Sequence, residues 1–155
     1  MEKVEITKDL LNQIFKFFGT KPQIEVNENG EGLVEVDIKG DDLSYLIGYR
    51  GQSLDALSDL LTHMIFKKTN EWPHLMLDIN GYNQQRIERL HNMAKRFIDR
   101  VRFFQTEVEM PTLNPWERKQ VHTYMADYDD VESESRGEGK NRKMYLLPKK
   151  SRAKK

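Results

Sequence analysis

Two short stretches hold residue types at spacings suited to gripping phosphate. Gly48-Tyr49-Arg50-Gly51 places two glycines three apart around one cation. Glycine reaches positive φ and, having no Cβ, lets another backbone approach closely. With Arg50 between them, these residues are able to clamp a phosphodiester backbone. The second stretch pairs Arg118 with His122. Four residues apart, they share one face of a helix, one turn from each other. Arginine donates bidentately to phosphate, and histidine donates when protonated or in the right tautomer. No second His or Glu stands at helical spacing on that face, so a metal site is not indicated. His63, His74 and His91 are scattered and read as structural. The chain has no Cys, which removes disulfides, thiolate zinc sites and Cys nucleophiles together. No nucleophile and base set is present either. A non-enzymatic protein without metal or cofactor is expected.

The elements that would carry the first stretch follow from hydrophobic spacing. Leu43, Leu46 and Ile47 precede Gly48, and Leu54, Leu57, Leu61, Met64 and Ile65 follow Gly51, both at helical spacing. Residues 6–18 read as a helix with Thr7 as candidate N-cap and Gly19 as its stop. Its Leu10, Leu11, Ile14, Phe15 and Phe18 are assigned to the core. Residues 23–27 and 33–39 alternate as half-buried strands, joined by the turn Asn29-Gly30-Glu31-Gly32. Asn70-Glu71-Trp72-Pro73 breaks the pattern, and His74 to Ile79 forms a third strand closed by Asn80-Gly81. Residues 1–81 are therefore expected to form a three-stranded sheet with helices on one face.

The second stretch sits in a further small α/β domain over residues 82–148. A long helix runs from Tyr82 to about Phe104. On it Ile87, Leu90, Ala94, Phe97, Ile98 and Val101 share one arc, and Arg86, Arg89, Arg96 and Arg100 share the arc beside it. A solvated face usually mixes signs, so this stripe is a candidate for secondary phosphate contacts. Glu107 to Met110 reads as a short strand. Asn114 caps a helix that has Pro115 at its first position and Glu117 three residues after the cap. Strands over Val131–Ser135 and Lys143–Leu147 flank the turn Arg136-Gly137-Glu138-Gly139. The overall class is α+β.

Charge is neutral in total but not in distribution. Residues 140–155 hold eight of the 25 basic residues and none of the 25 acidic ones, leaving −8 over the rest. Lys140, Arg142 and Lys143 open this basic run, and residues 149–155 read as a disordered tail. Such segregation is an electrostatic footprint for a polyanion. No apolar run approaches membrane-spanning length, and Met1-Glu2-Lys3-Val4 shows no signal peptide, so a soluble, intracellular protein is expected.

Taken in order, these motifs resemble a known family. Residues 46–57 (Leu-Ile-Gly-Tyr-Arg-Gly-Gln-Ser-Leu-Asp-Ala-Leu) are similar to a KH loop, whose GXXG turn clamps about four nucleotides of a single strand. Asn114 to His122, Val131 to Gly139 and Arg142-Lys143 resemble an R-three-H domain, named for its Arg-xxx-His motif. Leu77 to Tyr82 with Arg86 and Arg89 resembles the junction of the same proteins. The whole is similar to the Jag family, also called KhpB or EloR. The resemblance implies a KH fold of the bacterial type (type II), cytoplasmic RNA binding and a small stand-alone KH protein as partner. It also implies links to cell elongation and division and to the membrane-protein insertase, with a chaperone role among the family's associations. Backbone clamping is implied for Gly48, Arg50 and Gly51, and phosphate contact for Arg118 and His122.

Two departures bear on function. Many relatives carry Lys where this chain has Tyr49, which leaves one charge on the loop and offers a ring for stacking on a base. Relatives often begin with a further small domain and a charged linker, whereas this chain is expected to begin at the KH module. The reading is a binder of single-stranded RNA, with single-stranded DNA left open. Gly48, Tyr49, Arg50, Gly51, Arg118, His122, Arg142 and Lys143 are its contacts, and Leu46, Ile47 and Leu57 lie against bases. The alternative is a protein-interaction scaffold that pairs with another KH protein or the insertase machinery.

Overall fold

Alternation along Leu33-Val-Glu-Val-Asp-Ile-Lys39 makes this strand, β2 (Leu33–Lys39), the middle of the first sheet, with Val34, Val36 and Ile38 buried. A computed structural model describes residues 2–149. β1 (Gln23–Glu28) lies antiparallel beside β2 with Val26 opposite Val36. Their turn is held by Asn29, whose side-chain oxygen accepts from the amides of Glu31 and Leu33, each at 3.0 Å. β3 (His74–Ile79) pairs with the other edge of β2 in parallel, Leu77 opposite Val36. Parallel neighbours need a crossover. It is supplied by α2 (Ser44–Ile47), a 3-10 turn over Tyr49–Gly51, and α3 (Gln52–Thr69). The candidate loop therefore lies within the crossover, between two helices anchored by Leu46, Leu54, Leu61 and Ile65 in the core.

α1 (Glu2–Phe18) adds Leu10, Leu11 and Phe15 to that core. It starts earlier than its cap signal suggests, because Val4 and Ile6 also pack on the core. Thr7 is consequently not an N-cap. It is buried inside the helix, and its hydroxyl donates to the Lys3 carbonyl at 2.7 Å, the back-bond open to any interior Thr. Gly19 does end the helix, at φ 69°. Its amide bonds the Lys16 carbonyl, and the Thr20 amide reaches the Phe15 carbonyl.

The chain divides into two compact units, the second beginning at Gln85. Its elements are α4 (Tyr82–Phe104), β4 (Val108–Glu109), α5 (Pro115–Met125), β5 (Val131–Arg136) and β6 (Lys143–Pro148). The strands form an antiparallel sheet in the order β4-β6-β5. Leu90, Ala94, Ile98 and Val101 from α4 meet Val121 and Met125 from α5, with Val131, Met144 and Leu146 beneath. α5 starts with the expected reciprocal cap. The Asn114 side chain accepts from the Glu117 amide at 2.8 Å, and the buried Glu117 carboxylate accepts from the Asn114 amide at 2.9 Å. Arg102, near the end of α4, forks onto both oxygens of Asp130 at 2.6 and 3.0 Å. Among the described residues, no helix is long and apolar enough to cross a membrane.

Two outcomes follow from these bonds. Asn114→Ala should cost about 1 kcal/mol, read by urea unfolding through Trp116 fluorescence in a Trp72→Phe background. The Arg102 hydrogen bond holds the Asp130 carboxyl below the ordinary range. A depressed folded value means stabilisation that is present above the unfolded pKa of about 3.9 and lost as pH falls through the folded one. Asp130→Asn should lower the melting temperature at neutral pH and lose less than the parent chain on acidification below about pH 4.

Candidate nucleic-acid interface

The turn between α2 and α3 works only because of what Gly48 lacks. Its backbone, at φ 70° and ψ −171°, lies in a region open essentially to glycine alone. A Cβ there would collide with the Ser53 hydroxyl and come within 2.8 Å of the Ser53 Cβ. Arg50 and Gly51 follow in left-handed conformations at φ 53° and 83°. This path turns the chain sharply, buries Gly51 and leaves Arg50 exposed. Tyr49 is 74% exposed. Gly51 is the N-cap of α3 and offers no side-chain cap, and the first amide of the helix, Gln52, bonds the Tyr49 carbonyl.

Beside this turn runs an apolar groove of about 650 Å³. Leu46, Ser53, Leu57 and Leu60 line it from the loop's own helices, and Ile14 and Phe17 from α1. Leu46 and Leu57 line this groove, while Ile47 does not and packs against the core. Phe18, expected in the core, is 47% exposed and leans edgewise on Phe17 and at a tilt on Tyr45. Phe17, 87% exposed, and Leu60 were missed. Helical spacing identifies the face that contacts the sheet but not a second apolar face left open.

In the second unit, α5 carries Arg118 and His122. One Arg118 nitrogen donates to the Leu113 carbonyl at 2.6 Å, which pins the guanidinium beside the start of its own helix. His122 is exposed and meets the Ser133 hydroxyl through Nδ1 at 2.7 Å. Ser133 had no signal of its own in the sequence, since the contact depends on how β5 lies against α5.

The other predicted cations divide by burial and by sheet face. Lys143 requires correction. On β6, Met144 and Leu146 point into the core, so Lys143 and Tyr145 take the opposite face. There Lys143 is hydrogen-bonded to Glu109, which raises the ammonium pKa, and Tyr145 bonds the other Glu109 oxygen at 3.3 Å. Ser133 pairs opposite core-facing Leu146, so the sheet separates Lys143 from the His122 contact. Arg142 is exposed on extended backbone one residue before β6, at the end of the preceding 3-10 turn. Gly137 lets the chain pass there, because a Cβ would come within 3.0 Å of the Asn141 carbonyl oxygen.

The stripe on α4 is reduced by one. Arg86 is only 4% exposed, and its guanidinium lies 4.1 Å over the Trp116 ring, a stacking contact inside the unit and not a face for phosphate. It is the member of the stripe nearest the apolar arc, which is why burial captured it. Arg89 and Arg96 remain at the surface and line a depression of about 460 Å³ with Asn92, Met93 and Phe97. Arg100 sits 5.3 Å above the Phe97 ring. Cations beside an aromatic form a surface suited to a nucleic-acid strand.

Residues 88–148 match the R-three-H domain family. The RNA-binding protein KhpB of Clostridium symbiosum is 32% identical over 131 residues, covering 84% of this chain and 59% of that protein. The Bacillus subtilis (strain 168) protein of the same name is 26% identical over 151 residues, covering 96% and 72%. That of Streptococcus pneumoniae serotype 2 is 25% identical over 116 residues, covering 75% and 35%. The chain thus spans about 59% of the length of its C. symbiosum relative.

Gly48→Ala should destabilise the first unit by about 2 kcal/mol, from backbone strain and collision with Ser53. Adding Ser53→Gly should return part of that loss by removing the collision. Thermal unfolding of the two variants checks both; equal melting points would contradict the steric account.

Proposed function

The chain belongs to the Jag/KhpB family, and from that premise we propose that it is a non-enzymatic binder of single-stranded RNA with two sites on one chain. The first unit is read as a KH module of the bacterial type. Its element order, and the parallel β2–β3 pair bridged by a helix–loop–helix crossover, support that reading. The observation that carries it is the backbone at Gly48 to Gly51, with its glycine-only conformation, outward Arg50 and adjacent apolar groove. A phosphodiester backbone fits against the loop and the start of α3, with bases toward Leu46 and Leu57. Arg118, His122 and Arg142 hold further phosphates in the R-three-H unit, and Arg89, Arg96 and Arg100 extend that surface. The end of the basic run, residues 150–155, lies outside the described residues.

Two weak sites on one chain gain affinity through effective concentration without new contacts. A role as a cytoplasmic post-transcriptional regulator linked to cell elongation and division is the physiological form of the proposal. The open groove lined by Phe17 and Leu60 favours a second reading, a scaffold that docks another KH protein or the insertase machinery. A partner that co-purifies tightly and whose loss abolishes function, with the RNA contacts dispensable, would promote it.

Fluorescence anisotropy with short, labelled single-stranded RNA at low salt provides the test, with a DNA strand as competitor. Arg50→Asp keeps a residue that tolerates the left-handed backbone, so it probes charge and not folding. It and Arg118→Ala should each weaken binding roughly tenfold, by loss of a charge-assisted hydrogen bond. Affinity should fall steeply as salt rises, by about 0.7 log unit per phosphate contact for each log unit of salt. Absence of binding at low salt, or a double variant that binds like the parent chain, sinks the proposal.

A further inference from the structure

His122 contacts phosphate only through a nitrogen that carries hydrogen. Nδ1 already faces the Ser133 hydroxyl at 2.7 Å, so the nitrogen left for a ligand is Nε2. Whether Nε2 is protonated in the neutral ring depends on what Nδ1 bonds. A carboxylate or carbonyl at that place would keep the hydrogen on Nδ1 and turn Nε2 into an acceptor, which phosphate repels. A hydroxyl behaves differently. It donates to a bare Nδ1, which leaves the hydrogen of a neutral ring on Nε2 for a phosphate there, and it accepts from Nδ1–H when the ring is charged.

We propose that Ser133 is the positioning residue of this site, holding His122 so that Nε2–H is presented to phosphate whether the ring is neutral or charged. The proposal rests on the reading of Arg118 and His122 as phosphate contacts. Surrounding groups are consistent with it. Glu132 and Glu134 flank Ser133 on β5, but strand alternation sends both to the opposite face, where Glu134 is paired with Arg136. Neither offers a carboxylate to Nδ1. On α5, Arg118 and Lys119 are cationic, and Glu117 is committed to the helix cap. Ser133 is also fixed in place, since its strand position is set by pairing opposite buried Leu146.

Two measurements on the full chain test this. Long-range proton–nitrogen NMR at about pH 8, well above the usual histidine pKa, should show the His122 ring as the Nε2–H tautomer. In Ser133→Ala it should become a mixture of both tautomers. A ring carrying its hydrogen on Nδ1 in the parent chain, or one unchanged in the variant, overturns the proposal. In anisotropy with labelled oligouridylate at the same pH, Ser133→Ala should weaken binding about threefold to tenfold, and Ser133→Thr should restore it. In a His122→Ala background, Ser133→Ala should add nothing, whereas an equal further loss there marks a merely structural role and overturns the assignment. Loss in Arg118→Ala without loss in Ser133→Ala removes Ser133 and leaves the site standing. No binding by the parent chain removes the reading of the site itself.

Discussion

The architecture of the first site depends on a missing atom. Two helices that cross from β2 to the parallel strand β3 have to be joined in four residues, and the chain turns back on Ser53 as it does so. Only a residue without a Cβ fits at Gly48, both for its backbone angles and for the space beside it. Once that turn is fixed, Tyr49 and Arg50 sit at the surface, Gly51 is buried and α3 begins without a side-chain cap. The loop's chemistry is therefore a consequence of packing. Leu46 and Leu54, seated in the core on either side, hold the turn in place from below.

In the second unit the deciding factor is which cations the fold has already used. Arg86 is stacked on Trp116, Lys143 is held by Glu109, and Arg136 is forked onto Glu107 and braced by Glu134. Arg102 is spent on Asp130. Lys143, Arg136 and Arg102 are thus matched by carboxylates within the unit, so their charge adds little to the pull on a polyanion. On α5, Arg118 is held by a carbonyl and His122 by a hydroxyl, and Arg142 is exposed on extended backbone before β6. Exposed cations in general contribute little through position. Donors pinned by the protein lose less freedom when a phosphate arrives, which is where a site of few charges gains.

How much of this was legible from residues alone follows from the range of each interaction. The Asn114–Glu117 cap spans three positions and is written in residue types, so it could be read directly. The strands β2 and β3 were likewise legible from alternation and bounding turns. Thr7 was misread because a hydroxyl early in a helix looks the same whether it caps the first turn or bonds back inside it. Lys143 was misread for a different reason. It lies beside Arg142 in sequence, but the pleat turns it to the face of the sheet away from Met144 and Leu146. Arg86 sat at the edge of a charged arc, and only the placement of Trp116 decides that it is buried. Ser133 and the open groove with Phe17 depend on tertiary packing, which no local pattern encodes.

Tyr49 sets how the two sites divide their work. A basic residue at that position would add a long-range attraction that acts on any polyanion and is screened by salt. A 74% exposed ring adds none, but offers a face on which a base stacks at short range. On the proposed reading the first site relies on shape, with a strand's backbone against Gly48 and Gly51 and an apolar groove alongside. The cations are concentrated instead on the second unit, at Arg118, Arg142 and the α4 stripe. The proposed function thereby assigns attraction and close fit to different units of one chain. Neither unit alone needs high affinity, because capture by one raises the effective concentration at the other.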